Sequence, residues 1–363
     1  MNSIRNQMMR LLAVSALGSF SLGGASWVVL LSARGFSMLE IGIAEGVFHI
    51  ASLIGEVPSG ALADVYGRKR AMMLSYAMFI LSSLLMIVSQ GLPGVCLALV
   101  FSAAGYNFAS GAREALAYDS LKVAGQQAHY LRYSSLEMIV YRVGSAAALL
   151  CAGLALAMGY RAANAFDIVM AAICLLILLG VREAMPENRQ RREPMLPALC
   201  RCFRESVHFL ARQRYARRLM LGNALLGAIA TLLGFFLQAR LHASGMDGAW
   251  IGPALFVMGL GGALGAQLTL RLAHWPLRAL MLLCAAGTLL GLWLGASAHA
   301  ALMVAGGFVA AMCDDILQVR TDSRLNELFP SEQRATILSI SSLLFSMIMI
   351  VLSPLFGWFF GML

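Results

Sequence analysis

Long apolar runs separated by short polar joints dominate the chain. Eleven can be counted, near Met9–Leu31, Ile41–Ala63, Ala71–Gln90, Gly94–Tyr118, Tyr133–Met158, Ala162–Val181, Leu219–Leu241, Trp250–Leu270, Arg278–Ala298, Ala301–Val319 and Ala335–Met362. Most approach the roughly 20 residues that a helix needs to cross a hydrocarbon layer about 30 Å thick. Joints as short as Gly91-Leu92-Pro93 fit tight helical hairpins. One long hydrophilic stretch, Arg182 to Arg218, interrupts the series and carries Pro186, Pro194 and Pro197. The expected organisation is therefore a first half of six spans over residues 1–181, a cytoplasmic connection over 182–218, and a second half of five spans over 219–363. Within the connection, Pro197 to Tyr215 reads either as an amphipathic helix on the anionic inner leaflet or as a solvated linker.

Composition sets the class. Of 363 residues, 60% are hydrophobic and 12% charged, with a mean hydropathy of +0.77. A soluble domain carries far more charge. In lipid the backbone must satisfy its own hydrogen bonds, which points to an all-α polytopic membrane protein. The net charge of +9 would suggest nucleic acid in a soluble protein, but its distribution excludes that reading. With the N-terminus inside, 22 of the 27 Lys and Arg residues fall in cytoplasmic segments, including Arg68-Lys69-Arg70 and the run from Arg182 to Arg218. Only Arg34, Arg161 and Arg240 fall in outer loops, while Arg113 and Arg142 lie within spans. That asymmetry predicts a multi-pass protein of the inner (plasma) membrane with a cytoplasmic N-terminus. Eleven spans would leave the C-terminus outside. Arg5 and Arg10 precede an apolar run without a convincing cleavage site, so the first run reads as a retained helix.

The seven cysteines show no framework spacing, and Cys200 and Cys202 lack a second ligand pair, so no zinc site is expected. No G-x-x-x-x-G-K-[ST], no H-E-x-x-H and no nucleophile–base constellation is present, so neither ATP-driven pumping nor enzymatic chemistry is expected. The run Gly259-Leu-Gly-Gly-Ala-Leu-Gly265 lies inside a span and reads as a close-packing surface. Two short echoes link the halves. Asp119-Ser120 at the end of the fourth span matches Asp322-Ser323 at the end of the tenth, and Arg70-Ala-Met-Met-Leu74 matches Arg278-Ala-Leu-Met-Leu282. Their offsets of 203 and 208 positions suit a parallel duplication.

The joint between the second and third spans is Gly60-Ala-Leu-Ala-Asp64-Val-Tyr-Gly67-Arg68-Lys69-Arg70. Gly60 suits a close helix approach, Gly67 a sharp turn, and Asp64 a helix N-terminus or an arginine. This stretch resembles the signature loop of major facilitator superfamily transporters, G-x-L-A-D-x-x-G-R-[KR]-[KR], at every specified position. The segment Leu325 to Ser339, with Pro-Ser-Glu-Gln-Arg-Ala-Thr, resembles a stretch common in bacterial efflux-like members. The resemblance implies a secondary active transporter that moves a small solute by alternating access, proton-coupled and tilted towards efflux. Its partners would be a small-molecule substrate, a coupling H+ and membrane lipids, with no nucleic acid, no cofactor, no metal and a monomeric state. The glycine- and proline-containing pattern of antiporter fifth helices is missing; Gly144-Ser-Ala-Ala-Ala148 stands in its place.

The resemblance also assigns roles. Gly60, Asp64, Gly67, Arg68, Lys69, Arg70 and Arg113 would form a conformational latch, with Asp64 facing the start of the eleventh span after Pro330. The first, fourth, seventh and tenth spans would line the cavity. Candidate substrate or proton-coupling residues are Tyr106, Asn107, Glu114, Glu137, Arg142, Asp314 and Asp315, with Asn223 and Thr231 behind them. Ionisable groups inside spans are costly and face a partner or a wet cavity. Bland readings stand beside these roles: Arg113 with Glu114 or Glu137 as a buried ion pair, Glu56 beside Pro58 as a kink pin, His49 as a core histidine, and Glu45 and Asp167 near the outer face within reach of water. Family members carry twelve helices, so a second expectation is a non-transporting or truncated relative.

Overall fold

The computed structural model describes residues 2–183, 197, 204, 208, 211–329 and 334–363. Every regular element among them is helical. They are α1 (Asn2–Ser19), α2 (Leu22–Ala25), α3 (Trp27–Ala33), α4 (Met38–Tyr66), α5 (Arg68–Val88), α6 (Leu92–Ala109), α7 (Ala112–Val123), α8 (Tyr130–Leu150), α9 (Ala152–Met158), α10 (Tyr160–Leu179), α11 (Arg214–Ala243), α12 (Gly248–Arg271), α13 (Leu277–Gly295), α14 (Ala300–Leu328) and α15 (Arg334–Gly361). Most of the expected Pro197–Tyr215 element lies outside the described residues, as do the Pro330-Ser331-Glu332 start signal, Cys200 and Cys202.

Among the described residues, nine helices are long and apolar enough to cross a membrane, and the pair α8–α9, bent by 50°, supplies a tenth. The expected count of eleven is therefore not confirmed among the described residues. The helix of the fourth span is interrupted where Gly111 takes a left-handed φ of 70° between α6 and α7. The first span breaks twice, into α1, α2 and α3. Its sequence explains the break: Ser21 caps α2 by accepting the Gly24 N–H at 3.0 Å, and Gly23-Gly24 disfavours a continuous helix. Asp167 on α10 holds the broken strand of chain in place. Its carboxylate accepts the Leu22 N–H at 2.7 Å, the Gly24 N–H at 2.9 Å and the Ser21 hydroxyl at 2.7 Å. The expectation that water serves Asp167 and Glu45 is corrected by these contacts: Asp167 spends itself on backbone donors, and Glu45 is 7% exposed.

The chain forms two compact units, Met1–Trp27 with Ala51–Leu199, and Val28–Ile50 with Cys200–Leu363. Helix α4 thus contributes to both. In the first unit, Leu11 and Val14 of α1 pack with Met72 of α5, Leu116 of α7 and Leu178 of α10. In the second, Met220 of α11 meets Leu325 of α14 and Leu344 of α15, while Leu280 and Cys284 of α13 pack on Cys313 and Leu317 of α14. Many large apolar side chains point outward, including Leu282, Leu289 and Trp293 on α13, as lipid-facing surfaces require.

Glycines bring the helices of the second unit together. A Cβ at Gly261 would run into the Phe308 carbonyl oxygen, and one at Gly265 into that of Met312, so α12 and α14 touch backbone to backbone. The close packing read from Gly259 to Gly265 is therefore real, at Gly261 and Gly265. Gly60 behaves otherwise: nothing among the described residues lies within 4 Å of a Cβ built there.

Two variants test these contacts through thermal unfolding of purified protein in detergent. Gly265→Val overpacks the α12–α14 seam and should cost about 1–3 kcal/mol, lowering the midpoint. Asp167→Ala orphans the Leu22 N–H and the Ser21 hydroxyl and leaves the Gly24 N–H to Ser21 alone, and should cost about 2 kcal/mol or more. An unchanged midpoint in either variant contradicts the packing or the capping described.

Candidate functional site

One residue makes the turn of the signature loop. Helix α4 ends at Tyr66 and α5 begins at Arg68, and Gly67 between them adopts a φ of 101°. Only glycine takes that region without strain, so the sharp turn expected there is present. Gly67 offers no side-chain cap to α5. Glu183, 115 and 114 positions further on, does so instead: its carboxylate accepts the N–H groups of Arg68 and Lys69, each at 3.0 Å. A carboxylate here satisfies orphan donors and complements the helix dipole. A Cβ at Gly67 would collide with Glu183, a second reason for glycine.

The loop cations turn inward to the same unit. Arg68 pairs with Asp119 near the end of α7, and Lys69 Nζ donates to the Leu179 carbonyl at 3.0 Å. Arg70 is exposed. Asp64 lies on α4 one turn before the bend, but its side chain is outside the described set, as is the start of the eleventh span it was expected to face.

A second polar group ties α1, α7 and α8. Arg113 Nη1 lies 2.9 Å from Glu137 Oε1 and donates to Ser15 Oγ at 3.3 Å, while Ser15 Oγ donates to Glu137 at 2.6 Å. The Arg113 guanidinium also sits over the Tyr141 ring, 5.8 Å from its centre. The left-handed Gly111 starts α7 two residues earlier and so aims Arg113 at α8. Glu114 and Arg142, in contrast, are exposed. Tyr106 is 55% exposed with its ring edge-on to Phe79 at 5.1 Å. Asn107 is buried and committed to α4: it donates to the Ser52 carbonyl at 2.9 Å and accepts from the Ser52 hydroxyl at 3.1 Å.

The adjacent aspartates of α14 diverge, as residues about 100° apart must. Asp314 faces α11, where a Cβ at Gly227 would stand 3.0 Å from Asp314 Oδ1. Asp315 faces α12, with its Oδ2 2.6 Å from the corresponding point at Gly262. No ion pair reaches Asp314 among the described residues. Below it on the same helical face come Gln318 and Asp322, at i+4 and i+8. Asn223 of α11 donates to Gln318 Oε1 at 2.6 Å, and Gln318 Nε2 donates to Asp322 Oδ2 at 2.8 Å. Gln318, Asp322, Asp119 and Glu183 were not among the sequence-derived candidates. The four-residue spacing of Asp314, Gln318 and Asp322 was the available signal; nothing local pointed to Glu183. No group of three or more His, Cys, Asp or Glu suited to a metal occurs among the described residues.

Comparison with known proteins bears on the family of the chain. The chain is 28% identical over 272 residues to the enterobactin exporter EntS of Shigella boydii, covering 73% of this chain and 62% of that protein. The chain therefore spans under two thirds of the length of that relative. Among solved structures it resembles the nucleoside transporter NupG, with a TM-score of 0.75 at 15% identity over 100% of this chain and 92% of that one. It also resembles a D-xylose-proton symporter, with a TM-score of 0.69 at 14% identity over 98% and 90%. These structural likenesses establish the fold alone. The profile of the Major Facilitator Superfamily matches residues 9–354, and with it the chain belongs to that superfamily of membrane transporters.

Proposed function

We propose that the protein is a secondary active transporter that exports a small solute by alternating access, with a proton as the coupling ion. Residues 1–181 and 219–363 form the two moving halves, joined by the 182–218 connection. The observation that carries this reading is Asp314: a carboxylate within the span Ala300–Leu325 that faces Gly227 and has no cationic partner among the described residues. Such a group suits a proton or a cationic moiety that comes and goes. Arg113 and Glu137 already neutralise one another and serve as a fixed strut. The exporter relative supports the direction. Asp64, placed by the turn at Gly67, acts as the latch that responds to the opposite half.

Inside-out vesicles with an acid lumen test the reading, using enterobactin and ethidium as probes. Wild-type protein should accumulate at least one probe, and a protonophore should abolish the effect. Asp314→Asn should reduce accumulation by about tenfold or more, equivalent to about 1.4 kcal/mol of lost coupling. Asp64→Asn should slow transport while leaving insertion and thermal stability unchanged. Wild-type rates in Asp314→Asn refute the coupling site, and wild-type rates in Asp64→Asn reduce the loop to a topological signal.

A further inference from the structure

Apart from these groups, the second unit buries an acid–base pair. Glu45 and His49 lie one helical turn apart on α4, hence on one face. His49 Nε2 is 3.3 Å from Glu45 Oε1, and both side chains are 9% exposed. On α15, Ser346 Oγ lies 3.4 Å from His49 Nδ1, and Ser346 is 7% exposed. The rings of Phe48 and Phe345 meet the imidazole edge-on, at 5.3 and 5.7 Å. Glycines allow this approach. A Cβ at Gly42 would run into the Ser353 carbonyl oxygen, one at Gly46 would be 3.4 Å from the Ile350 carbonyl oxygen, and one at Gly357 would run into that of Met38.

The surroundings offer little other charge. Beyond Arg334, α15 carries no titratable side chain. On α4 itself, Glu40 bonds Ser37 instead, accepting from its N–H and hydroxyl at 2.8 Å each. From α11 and α14 comes Asp314, across Gly227, whose Cβ position lies 3.0 Å from Asp314 Oδ1 and 3.9 Å from Phe345. Phe345 therefore borders both the imidazole and the Asp314 neighbourhood.

Charge balance decides what the pair does. A carboxylate beside a neutral imidazole leaves one uncompensated negative charge away from water, which is costly. One proton taken up by the imidazole brings the pair to zero net charge as a hydrogen-bonded ion pair. Ser346 serves both states. When the imidazole is neutral, its Nε2–H donates to Glu45 and the serine hydroxyl donates to Nδ1. After proton uptake, Nδ1–H donates to Ser346 Oγ, because a hydroxyl is donor and acceptor alike. Close packing of α4 on α15 and occupancy by a proton thus favour each other.

We propose that Glu45, His49 and Ser346 form a binding site for one proton, filled while α4 and α15 are packed together and emptied when they part. Its use in a transport cycle rests on the functional reading above; its existence does not. Hydrogen–deuterium exchange of the purified protein in detergent, at pD 6 and pD 8 and corrected for intrinsic rates, tests it. Amides 342–357 of the wild type should exchange about tenfold or more slowly at pD 6. The difference should vanish in H49Q and in E45Q, and shrink in S346A, while amides 160–179 stay unchanged as a control for folding. A wild type without the difference, or an H49Q variant that retains it, overturns the proposal. The difference without vesicle flux would remove the transport reading and leave the site; flux without the difference would do the reverse.

Discussion

Inside a bilayer no water waits to accept a hydrogen bond, so every polar group in a span must be answered by the chain. The carboxylates of this protein divide along that constraint. Asp167 answers two backbone N–H groups and a hydroxyl where the first span breaks. Glu183 answers the first two N–H groups of α5, and Glu137 answers Arg113 and Ser15. These three are consumed by structure. Asp314 and the Glu45–His49 pair are not, because neither has a fixed cation among the described residues. Mobile charge can act at these two places.

The same constraint explains the glycines. Helices in lipid gain little from burying apolar surface against one another, so they associate by close contact of small residues. Gly261 and Gly265 bring α12 onto α14, and Gly42, Gly46 and Gly357 bring α4 onto α15. Close packing excludes water, and that exclusion gives the Glu45–His49–Ser346 trio its sensitivity to one proton. Packing and proton binding are two descriptions of one equilibrium.

Much of this was legible in the sequence, for identifiable reasons. Spans are announced by composition, because lipid penalises charge at every position. The signature loop was legible because Gly67 and the cations sit together in the chain, and the divergence of Asp314 from Asp315 follows from helical geometry. The breaks in the first and fifth spans were not visible. Gly23-Gly24 looks like an ordinary packing pair until Asp167, over 140 positions away, supplies the acceptors that let the helix stop. Glu183 caps α5 across a similar gap. Glu45 and His49 showed their spacing, but Ser346 joins them only through the fold. Helix-internal relationships could be read; partners brought together by packing could not.

The most direct test of the division between structural and mobile carboxylates is an infrared difference spectrum of the purified protein between acid and alkaline pH. The carboxylic acid band that appears between about pH 8 and pH 6, where exposed carboxylates stay ionised, should disappear in Asp314→Asn and persist in Asp167→Asn and Glu137→Gln. A band untouched by Asp314→Asn, or one lost with Asp167→Asn, would contradict the account.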